Sequence, residues 1–173
     1  MVKLTIKRID FEMAFEMNDY EHPAYLDSET GDVIFIDGEL SYQLDELLTD
    51  EETLDEIDAT LQANSELSDT EREQLMNLAR VEADGKNRYW MLPKRDSRDG
   101  YRDMQKYIWS LEDDHLSELL EVAIQGSGAF RRFKDALYRY PEAQENWYAF
   151  KNQREQQRIL DWLESEDIEP EFI

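Results

Sequence analysis

The chain has 173 residues and a formal net charge of −23 at neutral pH, from 42 acidic and 19 basic residues. A negative field of this size repels duplex DNA, RNA and anionic lipid at long range, so nucleic-acid binding requires a local cationic patch. The absence of cysteine excludes disulfides, thiolate catalysis and cysteine-ligated metal centres. Because 12% of the residues are aromatic, we expect a folded core despite the charge.

Residues 1–40 are predicted to form a small helix-plus-hairpin unit. The first apolar positions indicate a short strand or a helix, and the apolar residues within 9–17 suit a helical stripe. Two β-rich runs, 24–27 and 32–36, are separated by polar residues that end in Gly31. Because glycine adopts the positive φ that tight turns need, this pattern predicts a β-hairpin.

Residues 41–85 are predicted to form an acidic helical segment. Thr49 with Glu52, and Ser68 with Glu71, have the spacing of capping boxes, in which a hydroxyl and a glutamate satisfy free amides at a helix start.

Residues 86–173 are predicted to be mainly helical. A short strand at 87–92 is ended by proline and is expected to pair beside the hairpin, giving a three-stranded sheet. The apolar stripes that follow predict four helices, at about 97–111, 113–125, 128–140 and 142–165. The predicted fold is α+β and predominantly helical, a small antiparallel sheet followed by a C-terminal helical bundle, in one compact domain overall.

The charges are segregated along the chain. Residues 9–71 contain no lysine or arginine but 21 acidic residues, whereas cations concentrate in 86–106 and 131–139. Residues 1–80 carry a net charge of −17 and residues 81–173 a net charge of −6.

Arg98, Arg102 and Lys106 form the first candidate binding site. Their spacing of four residues places them on one helical face, away from the predicted apolar stripe. One interpretation is an anion site for phosphate or carboxylate, since arginine binds both with paired hydrogen bonds. The other is simple pairing with acidic residues of the same chain.

The second candidate site contains Gly128, Arg131, Arg132 and Lys134 at the start of the predicted third of these helices. Cations at a helix start oppose the helix dipole unless an anion is nearby, and that anion is either a ligand phosphate or a carboxylate of this chain. Glycines between helices also serve as caps and turns, so a purely structural interpretation stays open.

These patterns lead us to expect an acidic cytoplasmic binding protein with a cationic groove for a nucleotide or an exposed nucleic-acid strand. Trp147, Tyr148 or Phe150 would stack a base at the edge of that groove. We expect no cofactor and no metal, and no apolar run is long enough to span a membrane.

Two alternative hypotheses assign a different function to the chain. In the first, the acidic N-terminal half binds a basic protein partner or imitates nucleic-acid charge, and the cations only stabilise the fold. In the second, the chain is a hydrolase that uses Asp96, Asp99 or Asp103 with a metal.

Several segments carry a resemblance to a known family. They are 96–102, 128–135, 147–150 and the hairpin segment 25–33. With them the chain resembles an uncharacterised bacterial protein family, number 158 in the uncharacterised protein family series. The resemblance is weakest over residues 40–70. The resemblance implies that the chain has bacterial relatives, but it implies no activity. It also implies that segments 96–102 and 128–135 belong together, across neighbouring helices.

Overall fold

A computed structural model describes residues 1–48 and 53–173. The chain forms two compact units: residues 1–95 with 163–173 are unit 1, and residues 96–162 are unit 2. The units are defined by packing, whereas the predicted division at residues 40 and 85 rests on composition and stays a prediction. The capping box predicted for Thr49 and Glu52 lies outside the described residues.

The helices predicted from apolar stripes are present among the described residues, and Glu39–Leu47 forms a further helix for which no stripe was predicted. In chain order the helices are α1 (Arg8–Met17), α2 (Glu39–Leu47), α3 (Leu54–Ala63), α4 (Asp69–Glu82), α5 (Ser97–Trp109), α6 (Asp114–Ala123), α7 (Ala129–Leu137) and α8 (Pro141–Ser165). The capping box of Ser68 and Glu71 is confirmed at the start of α4, and Thr53 with Glu56 forms another at the start of α3.

The strands are β1 (Val2–Ile6), β2 (Ala24–Asp27), β3 (Val33–Phe35), β4 (Tyr89–Met91) and β5 (Ile168–Phe172). The predicted three-stranded antiparallel sheet is confirmed, in the order β3-β2-β4. A second sheet, which was not predicted, consists of β1 paired in parallel with β5, with Leu4 opposite Pro170. The fold is therefore α+β and mainly helical, as predicted.

Gly31 positions the hairpin turn of unit 1. Its φ of +80° lies in the left-handed region, which glycine alone adopts without strain. A Cβ at this position would lie 2.0 Å from the carbonyl oxygen of Thr5, so the β1 backbone passes directly against the turn.

Buried Asn18 joins the end of α1 to the three-stranded sheet. Its side-chain amide donates to the carbonyl of Leu92 at 2.7 Å, and its side-chain oxygen accepts from the N–H of Ala24 at 2.8 Å. Because both polar atoms of the amide are satisfied, the buried side chain is stabilising, and it holds α1 at a defined position.

Each unit has its own apolar core. In unit 1, residues from β3 and α2 to α4 form one buried cluster, which includes Ile34, Leu44, Leu61, Leu75 and Leu78. In unit 2, residues from α5 to α8 form another, which includes Met104, Ile108, Leu120, Phe133 and Leu137.

Candidate functional site

The cationic ridge of α5 lies on the solvent face of the helix, as predicted. Arg98, Arg102 and Lys106 are exposed, whereas Met104 and Ile108 are buried on the other side. The Nε of Arg98 lies 3.1 Å from a carboxylate oxygen of Asp96, which also caps the helix. Lys106 forms no ion pair with a described carboxylate.

The two arginines of the ridge both have local counterions. The Nη1 of Arg102 lies 3.5 Å from Oδ1 of Asp99. Hydrogen bonds from the N–H and then the side chain of Arg98 hold the pKa of Asp96 below its usual value. These contacts agree with the interpretation that the ridge pairs with acidic residues of its own chain.

Arg132 caps the end of α6 rather than facing an anion. Its Nε donates to the carbonyl of Ala123 at 2.9 Å and its Nη1 to the carbonyl of Ser127 at 2.5 Å, and its Nη2 donates to the carbonyl of Gln125. Although Arg132 lies in the first turns of α7, its charge sits at the C-terminus of the preceding helix, where the dipole favours a cation. The dipole conflict noted from the sequence is thereby removed for Arg132.

The rest of the second predicted site is open to solvent. Gly128 has a φ of +77° and is the N-cap of α7, and a Cβ there would lie 3.1 Å from Nη1 of Arg132. Arg131 lies 3.8 Å from a carboxylate oxygen of Asp135, one turn later. Lys134 is exposed, and no carboxylate in the described ranges forms an ion pair with it.

Trp147 belongs to the core of unit 2. It is only 7% exposed, and its ring centroid lies 4.8 Å from that of Phe133 and 5.3 Å from that of Tyr107, both in edge-on contacts. Of the three aromatic residues considered for base stacking, Tyr148 has the exposed ring, whereas Phe150 packs against the same core.

Sequence reasoning missed the buried ion pairs of unit 2. Asp103 on α5 is 2% exposed and accepts a hydrogen bond from Nε of Arg154 at 3.2 Å and another from Nη2 of Arg158. The two arginines are four residues apart on α8, so they stack on one face and enclose the carboxylate. The sequence shows only that this turn of α8 is polar on most sides, and this pattern does not distinguish a buried ion pair from a solvent-exposed turn.

A cavity with a volume of about 710 Å³ lies in unit 1. Its wall contains Asp27, whose carboxylate accepts two hydrogen bonds from Arg88, from Nε at 2.8 Å and Nη2 at 2.6 Å. Burial raises the pKa of Asp27, but the hydrogen bonds from Arg88 and from the N–H of Glu29 outweigh it, so the pKa lies below its usual value. Lys7 and Arg80 also line the cavity, and neither pairs with a described carboxylate.

The surface of unit 1 is strongly acidic. Unit 1 contains 29 acidic and 9 basic residues, a net charge of −20, whereas unit 2 contains 13 and 10, a net charge of −3. Burial raises the pKa of Glu82 on α4, and the like charge of Asp45 on α2 raises it further. Burial also raises the pKa of Tyr25, with a smaller contribution from Glu82. Like charges therefore crowd where α2 and α4 are neighbours.

Several basic residues of unit 1 are already paired with acidic ones. The pairs are Lys3 with Glu169, Arg8 with Glu12, Arg72 with Asp69, and Arg88 with Asp27 and Glu29. The remaining carboxylates greatly outnumber the remaining cations, so the acidic field is not neutralised within the unit.

The described residues contain neither a candidate metal-binding cluster nor a helix that could span a membrane. No group of three or more histidine, aspartate or glutamate side chains in ranges 1–48 and 53–173 has an arrangement that could hold a metal ion. No helix in this part of the chain combines the length and apolar character that crossing a bilayer requires.

Comparison with known proteins identifies relatives. Over 67 residues, 39% of this chain, it is 39% identical to a UPF0158 protein of Pseudomonas aeruginosa. Over 158 residues, 90% of this chain, it is 26% identical to a UPF0158 protein of Chlamydia trachomatis serovar D. These matches span 44% and 39% of the relatives' own lengths, less than half of each. No solved structure gives a significant match.

The profile of the uncharacterised protein family UPF0158 matches residues 54–173, which include the whole of unit 2 and helices α3 and α4. The resemblance inferred from the segments at 96–102 and 128–135 is therefore confirmed. The chain belongs to the family UPF0158.

Proposed function

We propose that this chain is a protein-interaction module whose acidic unit 1 binds a basic protein partner. The observation that supports this proposal is the distribution of charge, −20 in unit 1 against −3 in unit 2. Surface charge of one sign accelerates the encounter with a partner of opposite sign and excludes partners of the same sign. A basic partner would also relieve the repulsion between Asp45 and Glu82, which costs free energy in the isolated chain.

Neutralising part of this surface tests the proposal. The variant carries Asp45→Asn, Glu46→Gln, Asp55→Asn and Asp58→Asn, four exposed positions on α2 and α3 that form no ion pair among the described residues. The immobilised chain is titrated with histone-type basic proteins at low and at physiological salt. We expect about tenfold weaker binding by the variant at low salt, and a smaller difference when salt screens the charges.

A matched control removes the same number of charges from unit 2. It carries four glutamate-to-glutamine changes at exposed positions, Glu112, Glu118, Glu121 and Glu145. We expect this control to bind the basic proteins within about twofold of the wild type. Equal losses in the two variants would show that the attraction depends on total charge alone, and the proposal would fail.

A second candidate function is binding of a phosphate-bearing ligand by unit 2. It is supported by the exposure of Arg98, Arg102, Arg131 and Lys134 and by the weakness of surface ion pairs, about 0–1 kcal/mol, which a phosphate could replace. The test is a titration with nucleotides and short RNA at low and high salt. Absence of binding at low salt excludes this function, because the electrostatic contribution is then largest.

A further inference from the structure

Helix α1 exposes a second apolar face that the fold of unit 1 does not bury. Its inner face contains buried Phe11 and Ala14. On the outside, Ile9 is 78% exposed, Met13 44% and Met17 60%. Residues four apart lie one above the other on a helix, so these three form a stripe about 12 Å long. We call Ile9, Met13 and Met17 the α1 stripe.

Acidic residues border the α1 stripe. On the helical wheel Glu16 lies about 20° and Glu12 about 60° from Ile9 on one side, and Asp10 lies about 100° away on the other. The one cation of the helix, Arg8, is already 3.5 Å from a carboxylate oxygen of Glu12. The α1 stripe is therefore an apolar strip with acidic margins, on a helix that buried Asn18 holds in place.

The charge of unit 1 selects among the possible occupants of this strip. A second copy of the chain would bring another net charge of −20 against the first, and an anionic membrane would be repelled for the same reason. A basic amphipathic helix matches both the apolar α1 stripe and its acidic margins. Its apolar face covers the stripe, and its lysines or arginines reach the acidic margins. Methionine side chains are flexible and polarizable, and they adapt to different apolar partners.

Building on the function proposed above, we propose that the α1 stripe is the docking site for a basic amphipathic helix of the partner protein. Apolar contact with the stripe would supply specificity for an apolar helical face. The wider acidic surface of unit 1 would supply long-range attraction, and these two contributions can be separated experimentally.

The probe is a synthetic peptide of about 18 lysines and leucines, about 27 Å long as a helix, with all the leucines on one face. Its control is a peptide of the same composition whose leucines are spread around the helix. We expect the amphipathic peptide to bind the wild-type chain about tenfold more tightly than its control, because only the former presents a continuous apolar face.

Variants of the stripe provide the second comparison. The triple variant Ile9→Ser, Met13→Ser, Met17→Ser should lose about tenfold affinity for the amphipathic peptide while binding the control peptide unchanged. The conservative variant Met13→Leu, Met17→Leu should retain the affinity. Circular dichroism checks the fold of each variant. The single variant Met13→Glu gives an independent comparison, because it removes an apolar side chain from the stripe while glutamate remains a good helix former.

Three results would overturn the docking proposal. The first is equal affinity of the wild type for the two peptides, or unchanged affinity in the stripe variants. The second is concentration-dependent dimerisation, by sedimentation, that the triple variant abolishes. The third is stripe-dependent binding to vesicles of anionic lipid. If stripe variants have no effect while neutralisation of α2 and α3 still weakens binding, the acidic interaction function stands and the docking site is elsewhere.

Discussion

Two buried carboxylates, one in each unit, are stabilised by arginine. Asp27 accepts both of its long-range side-chain hydrogen bonds from Arg88, and Asp103 is enclosed by Arg154 and Arg158. An ionised carboxylate is retained in a protein interior only when its charge and its lone pairs are matched. These residues therefore stabilise the local packing, and removal of one partner leaves the other uncompensated.

Asp103→Asn is expected to destabilise the chain by about 2–3 kcal/mol, because two arginines would lose their buried counterion. This expected destabilisation is smaller than the loss from breaking a fully buried ion pair, because Arg154 and Arg158 are partly exposed. Urea unfolding measures the change. The control Asp135→Asn, which removes an exposed pair with Arg131, should cost no more than about 0.5 kcal/mol. Equal effects of the two variants would contradict this account of Asp103.

Gly31→Ala is expected to cost at least about 2 kcal/mol, because φ is positive there and the new Cβ would meet the backbone oxygen of Thr5. Gly85→Ala is the matched control, since a Cβ at Gly85 has no neighbour within 4 Å. We expect the control to change the free energy of unfolding by less than about 1 kcal/mol. A mild effect at Gly31 would show that β1 does not pass close to the hairpin turn.

At the scale of secondary-structure elements, the connection between α6 and α7 is defined by two glycines and one arginine. Gly126 and Gly128 both have positive φ, which turns the chain sharply between the helices. Arg132 then donates hydrogen bonds to carbonyls at and beyond the end of α6, where a helix leaves its carbonyls without intrahelical partners. A segment that resembles an anion-binding loop in sequence is thus stabilised by its own side chain.

Arg132→Ala should destabilise the chain by about 1–2 kcal/mol through loss of these hydrogen bonds. Arg132→Lys should recover only part of the loss, because an ammonium group lacks the planar fork of guanidinium donors. Thermal unfolding compares both variants with Arg131→Ala, which should lie within about 0.5 kcal/mol of the wild type. If Arg131→Ala is the more damaging change, the capping role assigned to Arg132 is wrong.

The elements that could be predicted are those with local signals. The helices have apolar stripes at a period of 3.6 residues, the α4 start has a capping box, and the hairpin has Gly31 at its turn. Strand β5 has no such signal: it contains Pro170, which usually argues against a strand, and its partner β1 lies at the other end of the chain. A parallel pair between the chain ends is a tertiary contact that no local pattern records.

The candidate site shows the same division between local and tertiary information. Helical periodicity correctly placed Arg98, Arg102 and Lys106 on the solvent side of α5. Whether a cation is free or paired depends on neighbours, so the capping by Arg132 and the burial of Asp103 were beyond sequence reasoning. Trp147 has the spacing of a helical core residue, and the structure places it there.

For the whole molecule, uneven charge is the dominant physical property. Each unit folds around its own core, but nearly all of the excess negative charge lies in unit 1. Self-repulsion of this kind opposes folding and is relieved by salt, by protonation or by a partner of opposite charge. The stability of the chain should therefore respond to pH and to binding through the same acidic residues.

Glu82→Gln is expected to stabilise the chain at pH 7. The pKa of Glu82 is raised in the folded state by burial and by Asp45, so its ionised form is disfavoured by folding. This penalty is present at neutral pH and disappears as the pH falls through the raised pKa. Urea unfolding from pH 7 down to about pH 4.5 should show the advantage of the variant shrinking toward zero. An advantage that stays constant with pH would contradict the assignment.

The most direct test of the acidic interaction surface is nuclear magnetic resonance of the isotopically labelled chain, titrated with the basic amphipathic peptide at low and physiological salt. Chemical-shift changes confined to unit 1, centred on α1 and the acidic helices α2 and α3, and weakened by salt, are the predicted result. Shift changes centred on α5 and α7 of unit 2, or no saturable change in unit 1, would contradict the account.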